Sequence, residues 1–301
     1  MYKAHDLFFM HSITPLHAGS GSSLSTIDLP VQREKTTNFP LIAGSGVKGA
    51  MREFFENNDS VKTDVDVIFG PDKEGSDYAG SASFSDAKLL FFPVKSVKGV
   101  FVWITCPLVL ERFARDYHHF TGKQFMLPKF AKIDDEWALT HENPGCLLSN
   151  GEIILEDFVF KAQKQPEYGK LAQEFASALF ATDSYWHKKF TSDMVILSDN
   201  SFKEFTEYST EVQARIRIDD KTGTVADGAL FYEENIPSET IFYCSLNISD
   251  PHKKTDSASV SSADAILNTV KNTSSGKVIQ FGGDATIGKG MMQITYFGKG
   301  E

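Results

Sequence analysis

Blocks of apolar residues along the chain predict a mixed α+β fold. Short runs rich in β-branched and aromatic residues predict strands, at 7–14, 88–94, 100–105, 152–160, 194–197 and 239–248. Apolar residues at helical spacing predict helices within 47–55, 169–180 and 263–272. The stretch 211–236 also alternates as a hairpin, but few of its residues near the tip suit a core, so we expect this hairpin to project.

The first helix follows the glycine-rich turn Gly44-Ser45-Gly46, and the sequence favours Ser45 as its N-cap. Lys48 and Arg52 are one helical turn apart on the face opposite the apolar stripe. A glycine-rich turn, a helix N-terminus and two cations can bind phosphate. An ordinary capped surface helix has the same pattern, so both interpretations stay open.

A long polar loop, 16–39, separates the first strand from this helix, and long loops are uncommon in compact domains unless they are functional or disordered. His17 opens it, although a lone histidine after a strand is more often structural. Asp28 is an acid between Ile27 and Leu29, just before Pro30. It either caps a turn or acts as a functional carboxylate in a partly dry setting.

Two stretches of the second half carry candidate chemistry. Arg215 and Arg217 alternate along the first strand of the predicted hairpin, and a Tyr-Glu-Glu segment lies near its end, at 232–234. Paired acids usually form a solvated edge. Nearer the end, 282–290 contains four glycines and Lys289. This segment is either a sharp turn or a loop whose backbone N–H groups meet phosphates.

Composition limits the class of protein. The 301 residues are 41% hydrophobic, ample for a core, and no apolar run is long enough to predict a membrane span. Three scattered cysteines and the lack of a secretory signal favour a reducing, cytoplasmic setting. The net charge of −10 by itself argues against nucleic acid, so any RNA contact must come from local basic patches or basic neighbours.

Four segments in one order nevertheless resemble the RAMP superfamily of CRISPR proteins: HAGSGSS, IDLPVQRE, NFPLIAGSGVKGAMR and QFGGDATIGKG. More narrowly, the chain resembles the repeated backbone subunit of the Cmr (type III-B) RNA-targeting complex, from about Phe8 to Phe297. The resemblance implies an α+β fold in one RAMP domain spanning 1–301. It implies a modified ferredoxin-like (RRM-like) core with insertions and a projecting β-hairpin thumb at about 211–236.

The same resemblance implies that copies of the chain stack into a helical backbone with other Cmr subunits. They bind guide crRNA and cleave complementary target RNA at regular intervals. Asp28 is the implied catalytic residue, as general base or as ligand of a divalent cation (Mg²⁺ or Mn²⁺), assisted by His17, Glu233 or Glu234. The RNA-binding prediction comprises Arg33, Lys35, Ser45, Lys48, Arg52, Arg215, Arg217, Gly282, Gly283 and Lys289. No membrane partner is expected.

Two alternatives remain at this stage. The chain can be a guide-RNA scaffold without nuclease activity, in which case Asp28 is structural. It can also be a RAMP ribonuclease that processes precursor guide RNA as a monomer.

Overall fold

The structure is a computed structural model that describes residues 2–24, 26–71, 78–216, 218, 224, 230–253 and 257–297. Fourteen strands and seven α-helices are assigned within those residues. The strands are β1 Ala4–Ser12, β2 Leu41–Ile42, β3 Ala82–Phe84, β4 Ala87–Ser96, β5 Val100–Thr105, β6 Trp137–Thr140, β7 Glu152–Leu155, β8 Phe158–Lys164, β9 Met194–Ile196, β10 Glu211–Arg215, β11 Phe231–Asn235, β12 Ile241–Ile248, β13 Val278–Gln280 and β14 Met291–Tyr296. The helices are α1 Gly44–Glu56, α2 Val65–Phe69, α3 Pro107–Thr121, α4 Pro166–Leu179, α5 Tyr185–Asp193, α6 Asp199–Tyr208 and α7 Ala263–Ser274.

The centre of the fold is an antiparallel sheet in the order β14-β1-β12-β4, extended at its β14 edge by β13. Helix α1 lies in the chain between β1 and β4, and α7 lies between β12 and β14. The apolar residues 7–10 of β1 are buried without alternation. Strand β1 pairs on both edges and packs against α3 and α7, and all of its residues except His5 are buried.

Strand β4 also belongs to a second unit, a closed ring of six strands in the order β4-β5-β9-β6-β8-β7. The ring is mixed, because β5 pairs with β9 and β6 with β8 in parallel, whereas the other neighbours are antiparallel. Its closure through the β4–β7 pair removes the free edges that an open sheet would expose.

Aromatic side chains fill the interior between these units. The ring of Phe113, on α3, lies 5.1–5.8 Å from the rings of Phe9, Phe125, Phe175 and Tyr243. This packing brings together segments that are distant in sequence. Within the described residues, no helix has the length and apolar character needed to cross a membrane.

Most predicted strands and helices are present, but two local predictions are wrong. Residues 152–160 form two strands, because Glu156 and Asp157 turn the chain between β7 and β8. Helix α1 is not capped by Ser45: it begins at Gly44 after Ala43, and the Asp86 carboxylate accepts the Gly44 N–H at 2.7 Å. Asp86 supplies the negative charge that a helix N-terminus favours.

Candidate active site

The loop predicted to carry the chemistry is bound along one edge of β11. Leu16 and Ile236 exchange backbone hydrogen bonds, and the N–H groups of Asp28 and Leu29 both donate to the Tyr232 carbonyl. The Glu234 N–H donates to the Leu29 carbonyl. The opposite edge of β11 pairs with β10. The loop therefore acts as an added strand, which explains how a polar segment of this length is held in a defined position.

Asp28 is half-buried and lies at this edge. Its Oδ2 accepts the backbone N–H of Tyr232 at 2.8 Å, so the carboxylate helps to fix the loop on β11. The side chain is not sealed in the core, and the Tyr232 ring beside it is exposed. Asp28 thus combines a structural contact with access to solvent, and the two interpretations of the sequence are compatible.

His17 is also held by β11. Its Nδ1 lies 2.7 Å from the Glu234 carbonyl oxygen. Since a carbonyl only accepts, Nδ1 carries the proton, and in the neutral ring Nε2 is the acceptor. The points on β11 that hold His17 and Asp28 are two residues apart, roughly 7 Å along a strand. The structure therefore brings these two predicted residues to the same strand edge.

The side chain of Glu234 holds the loop against β11. The residue is only 3% exposed. One oxygen accepts the Val31 N–H at 2.9 Å, and the other accepts from Arg33 Nη2 at 2.6 Å and Thr210 Oγ1 at 2.8 Å. This buried carboxylate is fully engaged with its own chain. Glu233 is equally buried, so neither acid forms the solvated edge that is usual for paired acids.

Glu233 points to the other face of β11, as successive strand residues do. There it pairs with Lys289 and with Arg215, whose Nη2 lies 3.0 Å from Oε2. Asp284 pairs with the same Arg215 and lies 3.5 Å from Lys289 Nζ. Burial alone would raise the pKa of Glu233, but the hydrogen bonds from Lys289 and Arg215 outweigh it and lower the pKa to about 2. This four-charge cluster fixes the glycine-rich segment 282–290 to β11.

The predicted RNA-binding glycines lie against His17. A Cβ added at Gly282, where φ is +76°, would be 2.5 Å from the His17 carbonyl oxygen. At Gly283 it would be 3.3 Å from the imidazole Cδ2. The Gly283 N–H donates to the His17 carbonyl at 2.9 Å. These glycines therefore permit close packing against the loop, and the 282–290 segment is a sharp turn in contact with the candidate site.

The predicted RNA-binding cations fall into two groups. Arg33, Arg52, Arg215 and Lys289 are engaged with the chain's own acceptors, Arg52 with Glu56 and the Gly70 carbonyl. Lys35 is exposed and Lys48 is half-buried; the uncharged Ser45 is also exposed. Burial, and then the charge of Arg52, lower the pKa of Lys48. Arg217 and most of the hairpin tip lie outside the described residues.

Several residues that shape the site were missed by the sequence analysis. Arg112 on α3 binds both oxygens of Glu34, at 2.8 and 2.7 Å, and anchors the far end of the loop. Thr210 supports Glu234, and Asp284 completes the charge cluster. Only Asp284 had a local signal, as the one acid in the glycine-rich segment. The others act through contacts that no local pattern reveals.

A metal ion would need several donor side chains close together. No group of three His, Cys, Asp or Glu side chains in the described part of the chain could hold one. Asp28 offers a half-buried carboxylate, whereas Glu233 and Glu234 are already paired with cations. The described residues alone therefore do not fit a protein-only metal site.

The class of protein follows from comparison with known families. The family model of the RAMP superfamily matches residues 9–293, so the chain belongs to that superfamily. The match spans the central sheet from β1 into β14 and includes the Asp28 loop and β11.

Similar proteins narrow the comparison to one kind of RAMP subunit. The chain is 36% identical over 288 residues to the CRISPR system Cmr endoribonuclease Cmr4 of Pyrococcus furiosus, covering 95% of this chain and 93% of that protein. It is 26% identical to the CMR subunit Cmr4 of Saccharolobus solfataricus, covering 96% and 95%. The predicted resemblance to a Cmr subunit is confirmed.

Solved structures agree with this grouping. Oligomeric Cmr4 from Pyrococcus furiosus superposes with a TM-score of 0.74 at 30% identity, covering 97% of each chain. A chain of the type III-B Cmr-beta complex bound to cognate target RNA superposes with a TM-score of 0.75 at 25% identity, covering 98% of each chain. The mixed α+β prediction is confirmed.

Proposed function

We propose that this chain is an endoribonuclease subunit of a type III-B Cmr complex and cleaves target RNA within that assembly. One observation of the site carries the proposal: a half-buried carboxylate, Asp28, is fixed on the same strand edge as the imidazole of His17. The similarity to a Cmr4 endoribonuclease over 95% of the chain supports the same assignment. The similarity to an oligomeric Cmr4 supports self-association of this chain. The similarity to a chain of a target-RNA-bound complex supports RNA as its partner.

The fold details suit this role. The order β14-β1-β12-β4, with α1 and α7 as crossovers, is the order expected of a ferredoxin-like βαββαβ core. We assign β10 and β11 as the base of the thumb, because they form a separate two-stranded sheet that leads to the undescribed tip. In this assignment the whole chain is one RAMP domain, and the candidate site lies where the thumb joins the core.

The proposed reaction uses the 2′-hydroxyl of the target RNA. Asp28 removes the 2′-O–H proton, the 2′-oxygen attacks the adjacent phosphorus, and the bond to the 5′-oxygen of the next nucleotide breaks. The leaving oxygen takes a proton, which His17 can supply from Nε2 when its ring is doubly protonated. The products are a 2′,3′-cyclic phosphate and a 5′-hydroxyl. Holding Asp28 and His17 at one edge of β11 reduces the reorganisation needed to reach this geometry.

Glu233 and Glu234 have a different role in this proposal from the one that the resemblance implied. Both carboxylates are occupied by cations of their own chain, and Glu233 stays ionised far below neutral pH. We assign them to positioning: Glu234 holds the Asp28 loop, and Glu233 holds the glycine-rich segment that packs on His17.

A divalent cation remains part of the proposal only at Asp28. Mg²⁺ in phosphoryl chemistry is often bound by one or two carboxylates together with substrate phosphates. When bound, it would supply charge stabilisation for the phosphate. Cleavage by the wild-type complex in excess chelator distinguishes the roles: retained cleavage assigns Asp28 as base, and lost cleavage assigns a metal ligand.

RNA backbone contacts are assigned to cations that are not committed elsewhere. Lys35 is exposed and forms no ion pair with a described residue. Burial, and then repulsion from Arg52, lower the pKa of Lys48, and the negative charge of a phosphate there would offset both effects. Such contacts position the guide without reading its sequence, which base pairing supplies.

The replacement Asp28→Asn tests the central claim. It keeps the size and the acceptor that Tyr232 N–H needs, but removes the charge. We expect target cleavage by the assembled complex to fall by about 10²-fold or more, with target binding unchanged. The measurement is single-turnover cleavage beside RNA binding by the same preparation.

Equal cleavage by wild type and Asp28→Asn would instead favour the scaffold alternative. The precursor-processing alternative is tested with the isolated protein and repeat RNA. Cleavage of repeat RNA by the monomer, without assembly on a guide, would contradict the proposed function.

A further inference from the structure

A groove between α6 and the β7–β8 hairpin is separate from the candidate active site. It encloses about 590 Å³, and its lining includes Phe158 and Val159 on one side and Phe205 and Tyr208 on the other. Phe158 is 58% exposed, and Tyr208 is 73% exposed. Single exposed apolar residues are ordinary, but neighbouring ones in a concave surface indicate a binding site.

The apolar floor is preformed. The Phe158 and Phe205 rings meet edge-to-face with centroids 5.6 Å apart, and Phe160 lies 6.1 Å from Phe205. The hairpin that presents Phe158 turns at Glu156, whose φ is +50°, a conformation that a residue with a side chain adopts at a cost. Because the rings of Phe158 and Phe160 already pack on Phe205, the aromatic surface of the groove is exposed without a rearrangement.

The rim of the groove is acidic. Asp135, Glu136, Glu156 and Glu204 line it, and the lining includes no Lys or Arg among the described residues. Glu156 and Glu204 form no ion pair with any described residue. Lys161 lies nearby, 3.4 Å from Glu136, but both of these side chains are well exposed. RNA phosphates are repelled by such a rim, which excludes a guide or target strand as occupant.

We infer that this groove binds a segment of a different protein in which Lys or Arg side chains alternate with large apolar ones. The apolar side chains fill the space between Phe158 and Tyr208, and the cations pair with Glu156 and Glu204 at the rim. Charge complementarity selects this occupant. A second copy suits this rim less well, because its 40 acids outnumber its 30 Lys and Arg residues; the self-association proposed above would use other surfaces.

The first test uses the purified full chain and a labelled short peptide that alternates Lys and Leu. Fluorescence anisotropy should detect binding, which Glu204→Lys should weaken by about tenfold or more. Glu207→Lys is the matched control, because it makes the same charge change on the same helix outside the groove lining. Phe158→Ser should also weaken binding, whereas peptides alternating Glu with Leu or Lys with Ser should not bind.

Equal binding to the two charge-reversed variants, or equal binding of the Glu-Leu peptide, would overturn the inference. The second test places a photo-cross-linking residue at position 159 in the assembled complex. Cross-linking to a different protein subunit supports the inference. Cross-linking to RNA, to a second copy of this chain or to no protein overturns it. Neither readout depends on RNA cleavage, so both are independent of the Asp28 proposal.

Discussion

Glu233 and Glu234 are chemically identical neighbours, yet the two faces of β11 use them differently. Glu234 faces the Asp28 loop and is bound by Arg33, Thr210 and a backbone N–H. Glu233 faces the glycine-rich segment and shares two cations with Asp284. The first face pairs one acid with one cation, whereas on the second face two acids share two cations. The Asp28 face therefore depends on a single buried carboxylate. On the opposite face, Asp284 contacts the same two cations as Glu233 and can neutralise part of their charge without it.

The largest expected effect within this comparison is that of Glu234→Gln. The amide can keep an oxygen for Arg33 and Thr210, but it then turns an N–H₂ group towards the Val31 N–H and leaves Arg33 without a counter-charge. Removing one partner of a buried ion pair is strongly destabilising, so we expect a loss of about 3 kcal/mol in the free energy of unfolding. Urea denaturation measures it, with exposed Glu53→Gln as the control that should change stability by less than about 0.5 kcal/mol.

The rate of target-RNA cleavage shows whether Glu234 positions the Asp28 loop or only stabilises the fold. Leu171→Ala truncates the core at α4, far along the chain from the loop, at a cost of about 2–5 kcal/mol. Both variants can be compared at a temperature where each is folded. Glu234→Gln should cleave target RNA at least about tenfold more slowly than Leu171→Ala, since a shift of the catalytic group is costly in rate. Equal rates would show that Glu234 only stabilises the fold.

Glu233→Gln should have a smaller effect at neutral pH, about 2 kcal/mol, because Asp284 still neutralises part of the charge on Lys289 and Arg215. The pH dependence sharpens the prediction. The pKa of Glu233 is about 2 in the folded state, below its ordinary value of 4.5, so the unfolded state takes up the proton first as the pH falls. The stabilisation is present above about pH 4.5 and is lost on approach to pH 2.

The difference in unfolding free energy between wild type and Glu233→Gln should therefore shrink from neutral pH to about pH 3. Urea denaturation of both proteins across that interval measures the difference. A constant difference would contradict the assignment of Glu233 as the charged centre of the cluster.

The comparison also shows what the sequence could predict. The sequence predicts strands such as β1 and β12, because a continuous run of apolar residues is itself the local signal of a buried strand. The internal roles of Arg33 and Glu234 could not be predicted, since these partners are 201 positions apart and a Glu-Glu pair has the same local pattern as a solvated edge. The predicted helix cap was wrong for the same reason: the acceptor at the N-terminus of α1 is Asp86, 42 positions from Gly44, and not the neighbouring serine. His17 and Asp28 were identified through resemblance, and only the fold shows that both are held at the same edge of β11.

The smallest effects concern the segment that Glu233 holds against His17. At Gly282, alanine would need a positive φ and would press on the His17 carbonyl, so Gly282→Ala should cost about 1–2 kcal/mol. At Gly283 the added methyl would only touch the imidazole edge at 3.3 Å, which a shift of a few tenths of an ångström relieves. Gly283→Ala should therefore change the free energy of unfolding by less than about 0.5 kcal/mol.

Cleavage should still respond to Gly283→Ala, because the methyl displaces the ring that is fixed by the Glu234 carbonyl. We expect a several-fold decrease in the single-turnover rate, and a changed acid limb of its pH profile if His17 donates the proton. Gly276→Ala is a suitable control, since its added methyl meets nothing within 4 Å and lies in a different turn. Its positive φ of 72° imposes a backbone cost without touching His17. Stability should therefore fall more in Gly276→Ala and cleavage more in Gly283→Ala. The reverse ranking would remove His17 from the reaction and leave Asp28 to act without it.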